Sequence, residues 1–392
     1  MNITNRYRMK ELYDYYEDKM ERCPFMQVVE GSSDGTVTIR GEEKIMIGSN
    51  NYLGLTNHPE VKEAAIRAIE KYGTGCTGSR LLNGNLDLHE QLEAELADFL
   101  GKEAVIVYST GFFSNSGTIS TLVGPNDVMV CDRDNHASIV QGCMLTRAQL
   151  KRYQHNNMES LERQLASTDN ETDKFIITDG VFSMFGDICN LPEIMNLAKK
   201  YNASVIVDDA HSIGVLGKNG KGTEEYYGMH NEVDVITGTF SKSFACVGGF
   251  AASSKEVIRF LKATCSSFIF TASLPPASVA TVLASLKIIR NDRARRQRLH
   301  AISNYVREEL NAMDFNTGGS QTPIIPIVIG DREKTIAAWE FLFDNGIFCN
   351  VSISPAVPKG CDLLRTSYIA THTDSQIDYV VQTFKKMKRL LF

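Results

Sequence analysis

No Cys-x-x-Cys pair occurs in this 392-residue chain, and its nine cysteines, an odd number, are scattered from Cys23 to Cys361. Neither a disulfide framework nor a zinc site is indicated, which fits a reducing cytoplasm. No basic stripe is present. A net charge of -6 argues against a nucleic-acid partner, because few cations are free to neutralise phosphates. No long apolar run survives inspection either: the segment 268–289 is broken by Pro275-Pro276 and carries several hydroxyl residues, so it makes a poor membrane span. Met1-Asn-Ile-Thr-Asn-Arg6 has no apolar core and does not read as a signal peptide. Internal repeats and low-complexity tracts are absent as well. What remains is a chain of 43% hydrophobic residues, enough for one large core and a smaller second lobe.

The order of elements follows from periodicity. Met9, Leu12, Tyr13, Tyr16 and Met20 recur at helical spacing, and residues 36–48 read as two alternating strands around a Gly-containing turn. Pro59 opens a helix that Gly73 ends; Asp87 with Glu90 resembles a capping box before the stripe Leu88, Leu92, Leu96 and Phe99. From Ala104 onward, strand-like runs (104–109, 127–131, 175–178, 204–207, 233–236) alternate with helical segments such as 191–201. That alternation predicts an α/β domain around a largely parallel sheet, with functional residues just beyond the carboxyl ends of the strands. Pro276 opens a helical stretch running into the charged segment 290–298, a connecting helix into a C-terminal lobe with strands at 323–329 and near 347–351. The basic and apolar tail 385–392 reads as the end of a last helix or as a membrane-surface contact.

Five strand-end sites carry the chemistry. Lys242 follows the run 233–238 between hydroxyls. A desolvated lysine there would be a nucleophilic amine able to form a Schiff base, the usual attachment of pyridoxal phosphate, although this stretch alone reads more readily as a solvated loop lysine. Ser109-Thr-Gly-Phe-Phe-Ser-Asn115 would present the amides of Gly111 and Phe112 at a helix start, which suits a phosphate. His136 could lie over a planar ring or serve as a surface or capping residue, and Ser183 could be a turn serine. Asp208 and Asp209 after a buried run call for a cation, either a pyridinium nitrogen or a metal completed by His211.

Taken together, Val207-Asp-Asp-Ala-His211, Gly238-Thr-Phe-Ser-Lys242 and Gly248-Gly-Phe250 resemble the α-oxoamine synthase family of pyridoxal-phosphate enzymes. Ser49-Asn-Asn-Tyr-Leu-Gly-Leu55, Tyr72-Gly-Thr-Gly-Cys-Thr-Gly-Ser-Arg80 and Asp179-Gly-Val-Phe-Ser-Met184 extend the likeness over almost the whole chain. The resemblance implies a PLP-dependent transferase of fold type I, aspartate aminotransferase-like, with a large mainly parallel sheet domain and a smaller α+β C-terminal domain. The expected division is an arm at 1–48, the cofactor domain at 49–285 and the C-terminal domain at 286–392. By the same resemblance Lys242 would hold pyridoxal 5'-phosphate covalently, Asp208 would hold its ring nitrogen, and His136 would stack on the ring. Ser183 and His211 would lie near the ring oxygen; Gly111, Phe112, Thr239 and Ser241 would surround the phosphate, with Thr271 reaching in from the second subunit of a homodimer. Arg365 would bind the substrate carboxylate with Asn51 close by, and no metal is expected. The branch indicated by residues 73–84, 351–358 and 370–373 condenses L-serine with a long-chain acyl-CoA, palmitoyl-CoA, giving 3-ketodihydrosphingosine, CoA and carbon dioxide. The rivals are glycine C-acyl transfer with a shorter thioester, amino-group transfer, and a non-catalytic partner subunit. A cytoplasmic protein that touches the inner membrane surface is the expected setting.

Overall fold

The computed structural model describes residues 23–392, so the helical pattern around Met9–Met20 lies outside the described residues. A seven-stranded sheet forms the centre. Its strands are β3 (Ala104–Tyr108), β4 (Val128–Asp132), β5 (Gln149–Tyr153), β6 (Lys174–Asp179), β7 (Ala203–Asp208), β8 (Val235–Thr239) and β9 (Gly249–Ser253). Their spatial order is β3-β9-β8-β7-β6-β4-β5; β9 runs antiparallel to both its neighbours and the rest pair in parallel. Alternate residues feed opposite cores. Val105, Val107, Val130, Ile176, Val205 and Val207 face one apolar cluster, whereas Ile106, Met129, Ile177 and Ile206 face another. A sheet covered on both faces explains why these strands read as continuous apolar runs.

Around the sheet lie α1 (Pro59–Tyr72), α2 (Asp87–Leu100), α3 (Gly111–Leu122), α4 (Ala137–Leu145), α5 (Met158–Ala166), α6 (Leu191–Tyr201), the short α7 (Thr223–Tyr226), α8 (Lys255–Thr264) and the short α9 (Ser266–Ile269). The start of α2 differs from the capping box expected at Asp87 and Glu90. Leu86 is the N-cap, its amide donates to His89 Nδ1 at 3.1 Å, and Asp87 is the first helical residue, accepting from the Tyr72 hydroxyl at 2.9 Å. His89 Nε2 also meets the Leu274 carbonyl at 2.8 Å, so a tertiary contact fixed the ring that took over the cap.

The connection to the C-terminal lobe is also not one helix. α10 (Pro276–Asn291) stops at Asp292, whose side chain accepts from the Arg295 amide and so caps a new helix, α11 (Arg293–Ala312). An aspartate placed there satisfies an orphan amide of the second helix, which favours the break over continuation. Beyond it, β10 (Ile324–Val328), α12 (Arg332–Asp344), β11 (Ile347–Phe348), β12 (Asn350–Ser352), β13 (Leu363–Ser367) and α13 (Asp374–Leu391) form the lobe. The hairpin β1 (Thr36–Ile39) and β2 (Glu42–Met46) is as its alternation suggests, but β2 pairs in parallel with β11. Val37, Ile39 and Met46 thus share an apolar core with Trp339, Tyr368 and Phe384. The tail is the end of α13, which opens with a reciprocal Thr373–Gln376 cap. No helix among the described residues is long and apolar enough to cross a membrane.

Candidate active site

The carboxyl ends of β4, β6, β7 and β8 open onto a cavity of about 260 Å³ whose wall includes Gly111, His136, Asp208, His211, Thr239 and Lys242. One end of it is built for an anion. Helix α3 starts there: Thr110 caps it by accepting from the Phe113 amide, while the amides of Gly111 and Phe112 have no acceptor among the described residues. Thr239 Oγ1 and Ser241 Oγ lie 2.9 Å apart beside them. Only glycine fits at 111, because an added Cβ would stand 2.5 Å from Thr239 Oγ1; a Cβ on Gly249 would likewise meet the Gly111 Cα at 2.6 Å. Free amides at a helix N-terminus with two hydroxyls suit a phosphate.

At the other end Asp208 and Asp179 sit side by side on paired strands, both buried. Asp208 accepts from Asn115 Nδ2 at 2.6 Å and the Ala210 amide at 2.9 Å; no cation among the described residues is ion-paired with it. Burial and the Asp208 charge push the Asp179 carboxyl well above its ordinary range, which favours its protonated form. Asp179 also accepts from the His136 amide at 2.7 Å. Burial lowers the pKa of His136, and that of His211 much further, the Lys242 charge adding to both, so both rings are favoured neutral. His136 Nδ1 meets Ser138 Oγ, and His211 Nδ1 meets the Tyr52 hydroxyl, each at 2.7 Å. Asp209 instead turns to Thr223, accepting from its amide and hydroxyl, so Asp208, Asp209 and His211 diverge and do not form a metal site.

Lys242 is partly exposed, and it belongs to the cavity wall. Burial, with help from the Arg365 charge, brings its pKa down from 10.5 to about 8 against the pull of Asp208 and Asp179. A neutral amine is therefore accessible near neutral pH. Anion cradle, amine and uncompensated carboxylate thus share one cavity, the set of partners a phosphorylated pyridine aldehyde requires, and pyridoxal phosphate fits the residues present.

Arg365, on β13, comes from the C-terminal lobe. Its Nε donates to the Ser183 carbonyl at 2.6 Å and its Nη2 to Asn50 Oδ1 at 2.9 Å; it is buried and no carboxylate among the described residues pairs with it. Two expectations change here. Asn51 is not the neighbour of Arg365: its side chain accepts from the Leu55 amide and donates to Thr56, holding its own turn, and Asn50 takes the place beside the guanidinium. Ser183 contributes its carbonyl, and it lines an adjoining cavity rather than the one around Lys242. Thr271 does not line the Lys242 cavity of its own chain. Sequence reasoning also passed over Asn115, the last residue of the segment 109–115, which bridges Asp208, Ser138 and Thr237.

The two asparagines can be told apart. On the expectation that Arg365 holds a substrate carboxylate, Asn50→Ala should weaken amino-acid binding about tenfold through a looser Arg365, whereas Asn51→Ala should leave binding nearly unchanged and cost about 1–3 kcal/mol of stability by stranding the Leu55 amide. Titration of amino-acid affinity beside thermal unfolding checks both.

Residues 42–384 match the family model for aminotransferase class I and II. A serine palmitoyltransferase of Bacteriovorax stolpii is 48% identical over 93% of this chain and 87% of its own length. The chain belongs to the class I and II aminotransferase family, in its α-oxoamine synthase branch. Another relative in this family, the 8-amino-7-oxononanoate synthase of Thermoanaerobacter pseudethanolicus, is 41% identical over 96% of this chain and 98% of its own. Among solved structures, SPT with PLP superposes at a TM-score of 0.96 with 37% identity, covering 100% of this chain and 99% of the other.

Proposed function

We propose that this protein is a pyridoxal-phosphate-dependent acyltransferase that condenses L-serine with a long-chain acyl-CoA, giving 3-ketodihydrosphingosine, CoA and carbon dioxide. One observation carries the reading: a partly desolvated amine and a buried carboxylate with no ion-pair partner, Lys242 and Asp208, share a single cavity with a phosphate cradle. Relatives named serine palmitoyltransferase at 45–48% identity support the choice of substrates over those of the 8-amino-7-oxononanoate synthases at 41–42%.

Gly111, Phe112, Thr239 and Ser241 would hold the cofactor phosphate, Lys242 the aldehyde and Asp208 the ring nitrogen, with His136 covering a ring face and His211 near the ring oxygen. When bound, pyridoxal phosphate withdraws electrons from the amino acid's α-carbon and makes its proton acidic. Arg365 grips the substrate carboxylate, aided by Asn50, and so sets which α-bond stands across the ring plane. Lys242, part neutral near pH 8, takes the α-proton. The α-carbon then bonds to the thioester carbonyl, CoA thiol leaves, and the resulting β-keto acid loses its carboxylate as carbon dioxide. A homodimer in which Thr271 enters the partner's site is part of this reading, supported by Phe270, which is 84% exposed beside it. The exposed Leu390 and Phe392 next to Lys385, Lys386 and Arg389 suit a peripheral contact with an anionic membrane face from the cytoplasm.

Thiol release with serine, glycine and alanine, each against acyl-CoAs of increasing length, tests the assignment. Serine with a C16 thioester should lead by at least tenfold. A lead by glycine with a short thioester would favour the other acyl transfer, and amino exchange with keto acids without thiol release would favour an aminotransferase.

A further inference from the structure

His155 lies just past the end of β5, and nothing in the reaction uses it. Its ring nonetheless stands among three carboxylates. Nδ1 meets Asp132 Oδ1 at 3.0 Å and Nε2 meets Asp187 Oδ2 at 2.9 Å; Asp134 Oδ2 stands 3.8 Å away, itself paired with Arg133. The ring also packs edge-on to Phe182, centroids 4.3 Å apart. Both nitrogens face carboxylates, so both act as donors, which requires an imidazolium. Burial alone would push its pKa down, but the hydrogen bonds and charges of Asp132 and Asp187 win and raise it to about 10.

The two carboxylates belong to two different active-site segments. Asp132 ends β4 and opens the loop to His136; its carboxylate also takes the amides of Asp134 and Asn156 at 2.9 and 2.7 Å. Asp187 closes the turn 181–188, in which the Phe182 amide bonds the Asp187 carbonyl at 3.0 Å and the Gly186 amide bonds the Phe182 carbonyl at 2.9 Å. That turn carries Ser183, whose carbonyl holds Arg365 Nε. Asp187 Oδ1 is buried with no partner, so the imidazolium is the main compensation for this carboxylate.

We propose that His155 is a positioning residue, a cross-brace that ties the loop bearing His136 to the turn bearing Ser183 and thereby sets the geometry of the Arg365 carboxylate anchor. The proposal rests on Arg365 being that anchor. His155→Phe keeps a ring against Phe182 and removes both hydrogen bonds and the charge; Asp187→Asn keeps the shape and removes one anion. In cofactor-free protein, amide exchange in the peptide spanning 181–188 should speed up about tenfold in His155→Phe and several-fold in Asp187→Asn, with β6 and β7 unchanged. In the holoenzyme the L-serine dissociation constant should rise about tenfold while kcat at saturating serine moves less than threefold. Unchanged exchange in both variants, or exchange that quickens equally across the sheet, overturns the brace. So does unchanged serine affinity, since packing alone would survive in His155→Phe. If wild-type protein fails to bind serine while the exchange result holds, the brace stands and the substrate reading falls.

Discussion

Lys242→Ala should lower turnover by about a thousandfold or more while leaving pyridoxal phosphate bound. The amine serves twice, as the covalent attachment and as the base for the α-proton, and a positioned base alone is worth about 10²–10⁴. The cofactor's other holds are untouched: free amides at Gly111 and Phe112, hydroxyls of Thr239 and Ser241, and the Asp208 carboxylate. The absorption band of lysine-bound cofactor should vanish, and equilibrium dialysis should still find cofactor on the variant. Wild-type thiol release in Lys242→Ala would end the assignment.

The same substitution carries a stability signature. Lys242 titrates at about 8 in the folded chain and near 10.5 when exposed, so between those values the unfolded chain holds the extra proton. Stability must then rise with pH across that window, and the penalty is fully present below it. Its size is at most about 3 kcal/mol. Cofactor-free Lys242→Ala should therefore be the more stable protein at pH 7, with the difference closing as pH climbs from about 8 toward 10.5. Denaturant titration at pH 7 and pH 10 reads this directly; equal stability at pH 7 would mean the amine is not desolvated.

How much of this was legible in the sequence depends on which contacts decide each feature. β3, β4, β6, β7 and β8 are buried on both faces, so β-branched runs mark them to within two or three residues. β5 is an edge strand reading Gln149-Leu-Lys-Arg-Tyr153, half polar because most of its side chains are only partly covered, and it gave no such signal. β9, Gly249-Phe-Ala-Ala-Ser253, opens on a residue held to glycine by the close approach of Gly111, a requirement set by a residue far off in the chain. Asn50 and Asn51 are chemically identical neighbours. Which one turns toward Arg365 is decided by a turn whose own amides, Leu55 among them, claim Asn51. His155 sits in an ordinary polar stretch, and its meaning lies in Asp132 and Asp187, brought to it by the end of β4 and by the turn that follows β6. Local pattern marks strands and their tips; side-chain direction at the tips is a tertiary matter.

Arg365→Ala should raise the KM for serine by about a thousandfold, and Arg365→Lys by about ten- to a hundredfold. The difference follows from shape. A guanidinium fixed at Nε by Ser183 and at Nη2 by Asn50 has its remaining donors available in a defined plane, which a carboxylate can meet with two parallel bonds. Lysine keeps the charge and loses the plane. Because the bond to be broken must stand across the cofactor ring, kcat should also fall in the lysine variant, unlike in a variant that only weakens affinity. Stability should move the other way. A buried cation without a carboxylate partner is costly until substrate arrives, so Arg365→Met should be neutral or stabilising in the absence of amino acid. Serine should then raise the unfolding temperature of the wild-type holoenzyme and not that of Arg365→Met. A serine-dependent stabilisation that persists in Arg365→Met would place the carboxylate elsewhere, and the reason for a lone buried guanidinium on β13 would have to be sought in the fold instead of the substrate.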